Sequence, residues 1–347
     1  MSIATIGLDL AKQVFQLHCV DAQGKTVLSK QLSRQQLAPF FANLPSCLIG
    51  MEACGSAHFW ARKLESFGHT VKLMASQFVK PYVKGSKTDM ADAEAICEAV
   101  TRPNMRFVAI KLPEQQAMLA VHRARASFVK ARTAQANQMR GLLAEFGIVM
   151  PLGLSTLRRR IPEVLEDAEN GLPAMMRDLI QRLLNHLNEL DQQVLEYDKV
   201  IMQWHRLNES SLRIAALPGV GPITATAIIA SVADAKSFED GRQLAAWLGL
   251  VPRQHSSGGK PVLLGISKRG DVYLRTLLIH GARAIIAHFE RQRERADPWL
   301  QRMLGRCHRN VAVVALANKN ARIIWALLAK DRRYEADYHA VSPVARP

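Results

Sequence analysis

The chain has 347 residues, enough for two or three domains, and its 48% hydrophobic and 22% charged content is ordinary for a globular protein. Its formal charge of +16 makes nucleic acid the first partner to consider. No apolar run reaches the roughly 18 residues of a bilayer span, no signal-peptide pattern precedes the first strand, and the cysteines at 19, 47, 54, 97 and 307 form no CxxC pair. A membrane protein, a secreted disulfide scaffold and a structural zinc site are therefore not expected, and a reducing cytoplasm is.

The charge is unevenly distributed along the chain. Net charge is +4 over residues 1–110, +7 over 111–160, −6 over 161–210 and +11 over 211–347. Residues 1–110 carry strand patterns, 111–210 helical ones, and 211–347 are mainly helical and basic, so these three segments are the expected domains.

Residues 3–10, 13–20 and 25–32 predict three consecutive strands, the last two joined by a turn at Asp21–Gly24. Ser33 then caps a helix to about Asn43. A fourth strand, Cys47 to Glu52, leads through Gly55-Ser56 into a helix ending near Phe67. A fifth strand, Thr70 to Ala75, is followed by a basic loop at 80–87 and a helix opened by Asp89 and Asp92. The order βββαβαβα predicts a mixed sheet with helices packed on it.

Asp89 and Asp92 share one face of that helix and repel each other by a few tenths of a kcal/mol. Acids suit a first helical turn, so solvated capping is the plain reading. A divalent cation is the sharper one. Asp9 lies inside an apolar strand, where a charge is costly unless paired or metal-bound. Glu52 closes the fourth strand. If strands one and four are neighbours, both acids emerge at one end beside the Asp89/Asp92 helix. This arrangement resembles the ribonuclease H-like fold, in which such acids hold magnesium for phosphoryl transfer.

A long helix is expected from Glu114 to Phe146, with a basic face of His122, Arg123, Arg125, Lys130, Arg132 and Arg140 turned to solvent or to a nucleic-acid backbone. Residues 147–162 read as a break. From 174 to 209, apolar residues at Ile180, Leu183, Leu187, Leu190, Val194, Tyr197, Ile201 and Trp204 follow a heptad spacing. That seam fits either a hairpin with the basic helix or a coiled-coil dimer.

Leu217-Pro218-Gly219-Val220-Gly221-Pro222 looks like a helix-hairpin-helix turn, with Gly219 and Gly221 free to approach a phosphate. A helix follows over 240–249. By composition alone, residues 249–260 (GLVPRQHSSGGK) read as a flexible Ser/Gly loop. The basic turn Ser267-Lys268-Arg269-Gly270-Asp271 and Arg275 are candidate phosphate contacts, ahead of a helix from Tyr273 to His288 and an apolar core helix from Val311 to Lys330.

Taken together, IGLDLAK (6–12), GMEACG (50–55), KTDMADA (87–93), LPGVGPITA (217–225), AAWLGLVPRQHSSGGK (245–260) and SKRGD (267–271) resemble the transposases of the insertion sequence 110 family, in particular its 1111 subgroup. The likeness covers nearly the whole chain. It implies a RuvC-like, ribonuclease H-type domain at 1–110 whose four acids match Asp9, Glu52, Asp89 and Asp92, with magnesium, or manganese in its place, as cofactor. It implies a helical spacer at 111–210 and a C-terminal transposase domain at 211–347 whose catalytic serine matches Ser257. It further implies a covalent 5′-phosphoserine link to DNA, a site composed from different subunits of a homodimer or homotetramer, and a structured guide RNA that pairs with donor and target DNA.

Elementary chemistry is consistent with that scheme. A serine hydroxyl is a weak nucleophile without a base or metal, and His255 is the nearest titratable neighbour in sequence. A covalent link conserves phosphodiester energy, and the chain has no P-loop. Ser256 is an alternative nucleophile, and the position before glycine favours Ser257. The competing functions are a metal-dependent four-way-junction nuclease using the acids alone, and a non-enzymatic nucleic-acid binder.

Overall fold

A computed structural model describes residues 2–86, 88–291 and 298–335; Lys87 of the KTDMADA motif lies outside the described residues. The chain packs as two units, Met1–Pro113 with Val232–Asp234, and Glu114–Ser231 with Ala235–Pro347. The segments 111–210 and 211–347, distinct in charge, thus belong mostly to one unit.

The first unit is built on a six-stranded sheet ordered β3-β2-β1-β4-β5-β6. Strands β1 (Thr5–Leu10), β2 (Val14–Val20) and β3 (Thr26–Ser33) form an antiparallel meander. The β2–β3 turn closes where Asp21 Oδ1 accepts the Gln23 and Lys25 amides, with Gly24 at φ 81°. Helix α1 (Arg34–Ala42) begins where Gln36 Oε1 accepts the Ser33 amide at 3.0 Å. Strand β4 (Leu48–Glu52) then pairs parallel to β1, and after α2 (Ala57–Glu65), β5 (Thr70–Met74) pairs parallel to β4. A short helix α3 (Ser76–Val79), a 3-10 turn (Lys80–Tyr82) and α4 (Asp89–Val100) precede β6 (Phe107–Val108), an antiparallel edge.

Alternation along the strands divides the two sheet faces. Ile6, Leu8, Ile49, Met51, Val71 and Leu73 bury themselves with Phe41 of α1 and Trp60 and Leu64 of α2. Each such fully buried side chain contributes about 1.5–3 kcal/mol. The opposite face takes α4, whose Ala95, Ile96, Ala99 and Val100 cluster with Met74 and Val79. This mixed α/β architecture matches the expected element order, with β6 the one strand that order did not include.

The second unit is mostly helical: α5 (Pro113–Ala144), α6 (Leu154–Glu166), α7 (Ala174–Leu207), α8 (Glu209–Ala215), α9 (Pro222–Ser231), a 3-10 turn (Ala235–Ser237) and α10 (Gly241–Trp247). A two-stranded ribbon, β7 (Pro252–Gln254) and β8 (Leu263–Ile266), is followed by α11 (Val272–Arg291), α12 (Pro298–Arg306) and α13 (Arg309–Ala329). Helix α6 replaces much of the break expected at 147–162. Leu157, Ile161 and Val164, at helical spacing, bury against Met139 and Leu143 of α5 and Ile180, Leu184 and Leu187 of α7.

The basic helix and the acidic heptad helix neutralise each other within the chain. Arg125 pairs with Asp198 at 2.5 Å, Arg132 with Asp191 at 2.9 Å, and Arg158 also meets Asp191. Phe128 stacks on Tyr197 at 5.6 Å. The heptad residues Ile180, Leu187, Leu190, Val194 and Ile201 are buried in this intrachain packing. Among the described residues the hairpin arrangement is the one formed. Arg125 and Arg132 are occupied by α7, and Arg140 donates to the Pro151 and Gly153 carbonyls, so the face first considered for a nucleic-acid backbone is largely internal.

Helix α13 is long and apolar enough, by length and composition, to cross a membrane. It packs instead on α8, α10, α11 and α12. Its buried Asn320 donates to Pro218 O at 3.1 Å, and Asn318 donates to Leu250 O at 3.2 Å. It is the core helix that holds two of the turns described below.

Candidate functional site

Asp9, Glu52, Asp89 and Asp92 all lie toward one end of one sheet face, and two glycines explain how. A Cβ on Gly7 would lie 2.0 Å from Ala93 O and 2.5 Å from Cys97 N; one on Gly50 would lie 2.8 Å from Val100 Cβ. Glycine at these two places lets α4 lie directly on β1 and β4. Asp9 and Glu52, two residues further along the same strands, project from that same face. Cys97 reaches back toward Thr5 O, while Ala93 covers Gly7, so α4 runs antiparallel to β1. Its first turn, with Asp89 and Asp92, therefore lies at the end where Asp9 and Glu52 emerge. Thr88 starts that turn by accepting the Ala91 amide at 3.2 Å.

Electrostatics place the strand acids together as well. The Cys54 thiol is pushed up from its ordinary range, first by burial, then by the carboxylates of Glu52 and Asp9. Both acids are half-buried, as is Asp92, while Asp89 is exposed. Among the described residues no three His, Cys, Asp or Glu side chains converge closely enough to hold a metal by themselves. The donor set is nonetheless hard carboxylate oxygen. Magnesium takes one or two protein carboxylates and fills its remaining positions with water and substrate phosphate. The chemistry of the donors is that of a hard-cation site, and Mg2+ or Mn2+ there would need water and substrate oxygens to complete its coordination.

Residues 249–260 are not a structureless loop. His255 N donates to Val262 O at 3.0 Å, Lys260 N donates to Ser257 O at 3.1 Å, and Ser257 bridges Lys260 across the ribbon. Gly258 and Gly259, at φ 55° and 75°, make the two-residue turn with both central angles positive that suits a tight hairpin. The glycines that suggested flexibility by composition are what the turn requires.

The ribbon separates the two serines. Ser256 Oγ accepts the Val262 amide at 3.2 Å and the Gln254 side chain at 3.0 Å, so it staples the hairpin from one face. Ser257 is exposed on the other face, and its hydroxyl has no partner among the described residues. Alternation puts His255 on the Ser257 side. Geometry thus assigns Ser256 a structural task and leaves Ser257 available.

The base of the ribbon corrects several assignments. Arg275 is 7% exposed and donates to Leu248 O at 3.1 Å and Arg269 O at 3.3 Å. It is a structural brace, not a phosphate contact. A Cβ on Gly249 or on Gly270 would come within 1.9 Å of Arg269 O or Trp247 O, which locks the turn after α10 against the SKRGD turn. Lys268 is held there at φ 54°, in the left-handed region, and with Arg269 it remains exposed. Such backbone strain persists only where the surroundings impose it.

Gly219 also has a packing reason. Its Cβ would meet Ile285 and the Gly281 backbone of α11 at 2.6–3.1 Å, whereas a Cβ on Gly221 meets nothing within 4 Å. Of the two turn glycines, only Gly221 is open to an approaching phosphate. His122, expected on the basic face, is 1% exposed. It contacts Tyr273 Oη at 3.1 Å and Thr226 Oγ1 at 3.0 Å, tying α5, α9 and α11 together. Burial, and then Arg125, push its pKa down to about 4.

Comparison with known proteins agrees with this architecture. Residues 6–148 match a transposase family model of the insertion sequence IS110 type, and residues 211–298 match the model described as "Transposase IS116/IS110/IS902 family". The chain is 51% identical over 335 residues to a "Probable family 20 transposase" of Pseudomonas aeruginosa, covering 96% of this chain and 99% of that one. It is 44% identical to the transposase of insertion sequence element IS1111A from Coxiella burnetii (96% and 91% covered) and 43% identical to that of IS1328 from Yersinia enterocolitica (94% and 97%). The fold and these likenesses define an insertion-sequence transposase, an enzyme that acts on DNA. Within that class, the chain belongs to the IS116/IS110/IS902 family.

Proposed function

We propose that this transposase cuts and rejoins DNA through a covalent bond between Ser257 and a DNA 5′ phosphate, supported by Asp9, Glu52, Asp89 and Asp92 as a magnesium site. The observation that carries the reading is the hairpin: a tight two-residue turn presents one hydroxyl without a partner among the described residues, beside a second serine whose hydroxyl is consumed by the fold. Ser257 Oγ forms the bond to phosphorus as the P–O3′ bond breaks. The serine proton passes to a base, for which His255 shares the face, and the departing 3′ oxygen takes up a proton. Attack by a 3′ hydroxyl on the phosphoserine reverses these steps and releases the enzyme, with no nucleotide hydrolysis needed. A divalent cation on the carboxylates would neutralise charge developing on the phosphate oxygens.

Target choice by a guide RNA, and action as a homodimer or homotetramer, complete the proposal. Both rest on the family resemblance, and the surplus of +11 over residues 211–347 suits a polyanionic partner. The expected outcome for Ser257→Ala is loss of transposition and of protein–DNA adduct, with Ser256→Ala retaining both at a reduced level. Cleavage that survives Ser257→Ala and still needs Asp9 would instead favour a nuclease using the acids and water. A discrete RNA that co-purifies with the full chain is the expected sign of the guide.

A further inference from the structure

We infer that Lys260 is the cation that binds the scissile phosphate while Ser257 attacks it. This deepens the serine reading above and rests on it. Ser257 and Lys260 are directly opposed across the ribbon, in a register fixed by the Lys260 N to Ser257 O hydrogen bond and by the Gly258-Gly259 turn. Directly opposed residues hold their Cβ atoms about 4.5–5.5 Å apart on one face. The lysine therefore starts beside the serine, and its long stem lets the ammonium reach an oxygen of any phosphate that the serine hydroxyl touches. No side chain intervenes, because the two residues between them are glycines.

The lysine is also uncommitted. It is exposed, and its ammonium has no hydrogen bond, ion pair or ring partner among the described residues. The cations nearest to it along the chain are engaged or further off. Arg275 is consumed by backbone carbonyls. Lys268 and Arg269 lie at the base of the ribbon, eight or more residues from Lys260, which at strand rise is roughly 20 Å or more along the chain. Arg253 lies in the middle of β7, four residues and roughly 13 Å along the strand from Ser257. Of these, Lys260 alone stands where the attacked phosphate must be. A lysine at a hairpin tip can also serve only to keep an edge solvated, and that alternative makes a different prediction.

The test uses the full chain with its co-purifying RNA and Mg2+ on a synthetic duplex of its own element's end, after the cleaved position is mapped from the unsubstituted chain's adduct. Two duplexes are compared, one with a normal phosphodiester and one with a neutral methylphosphonate at that position. With Lys260→Gln, adduct formation on the phosphodiester should fall about 100-fold, the scale seen when one preorganised electrostatic contact to a transition state is removed. Lys260→Arg should keep most of the rate. On the methylphosphonate, where a charge has been removed from the phosphorus, Lys260→Gln should recover to within about tenfold of the unsubstituted chain. Unchanged adduct rates in Lys260→Gln, or a loss that the methylphosphonate does not relieve, would overturn the assignment while leaving Ser257 as nucleophile. If the unsubstituted chain forms no adduct at all, the serine reading falls and this role of Lys260 falls with it.

Discussion

Two serines stand side by side in the chain, and their hydrogen bonds tell them apart. Ser256 is held by the Val262 amide and Gln254; Ser257 is presented. Arg275 carries the opposite lesson. Its position after a basic turn suggested a phosphate contact, but it is buried and bonded to two carbonyls. Removing a buried charged donor costs about 1.5–3 kcal/mol. Arg275→Ala should therefore unfold at lower temperature by calorimetry, and its binding to DNA, measured on the folded fraction, should stay near that of the unsubstituted chain. A large loss of DNA affinity without loss of stability would restore it as a contact.

At the scale of elements, the first unit was legible because its signals are local. Alternating apolar residues and the Ser33 cap are readable in the chain, and the expectation that Asp9 and Glu52 meet was conditional on β1 and β4 being neighbours, which their parallel pairing supplies. What was not legible is the close approach of α4 to the sheet, since Gly7 and Gly50 look like ordinary strand glycines until the helix above them is seen. The ribbon at 252–266 was hidden for the reverse reason: a turn needing two positive φ angles has the composition of a loop. Helix α6 was obscured by Pro162 and three successive arginines, although its apolar spacing was present. Gly7→Ala tests the packing account. The added methyl would collide with the Ala93 carbonyl, so α4 must lift, at a cost of about 3 kcal/mol. Reduced thermal stability together with reduced Mg2+-dependent activity is expected; wild-type stability would mean that the helix does not lie where described.

At the scale of the molecule, charge is sorted more finely than the formal +16 suggests. The basic α5 and acidic α7 neutralise each other internally. Nucleic-acid affinity should thus depend on the exposed cations of the first unit and of residues 211–330, which no composition count distinguishes from the paired ones. Burial also fixes how stability responds to pH. His58 and His122 are both pushed down to about 4 from 6.5, chiefly by burial. The folded state then binds fewer protons than the unfolded one, so this stability is fully present above pH 6.5 and is lost as pH falls toward 4. For His122 alone the loss between pH 6.5 and 5 is about 2 kcal/mol. Denaturant midpoints measured across that window should fall, and the fall should be smaller in His122→Gln.

The proposed chemistry turns on Ser257 becoming covalently joined to DNA. It is tested by tandem mass spectrometry of a nuclease- and protease-digested reaction between the full chain with its co-purifying RNA, Mg2+ and DNA bearing its element. The expected product is a peptide spanning residues 254–260 that carries a nucleotide through its 5′ phosphate on Ser257, absent from Ser257→Ala and from reactions without metal. Cut DNA with no modified peptide, or an adduct that persists in Ser257→Ala, would contradict it.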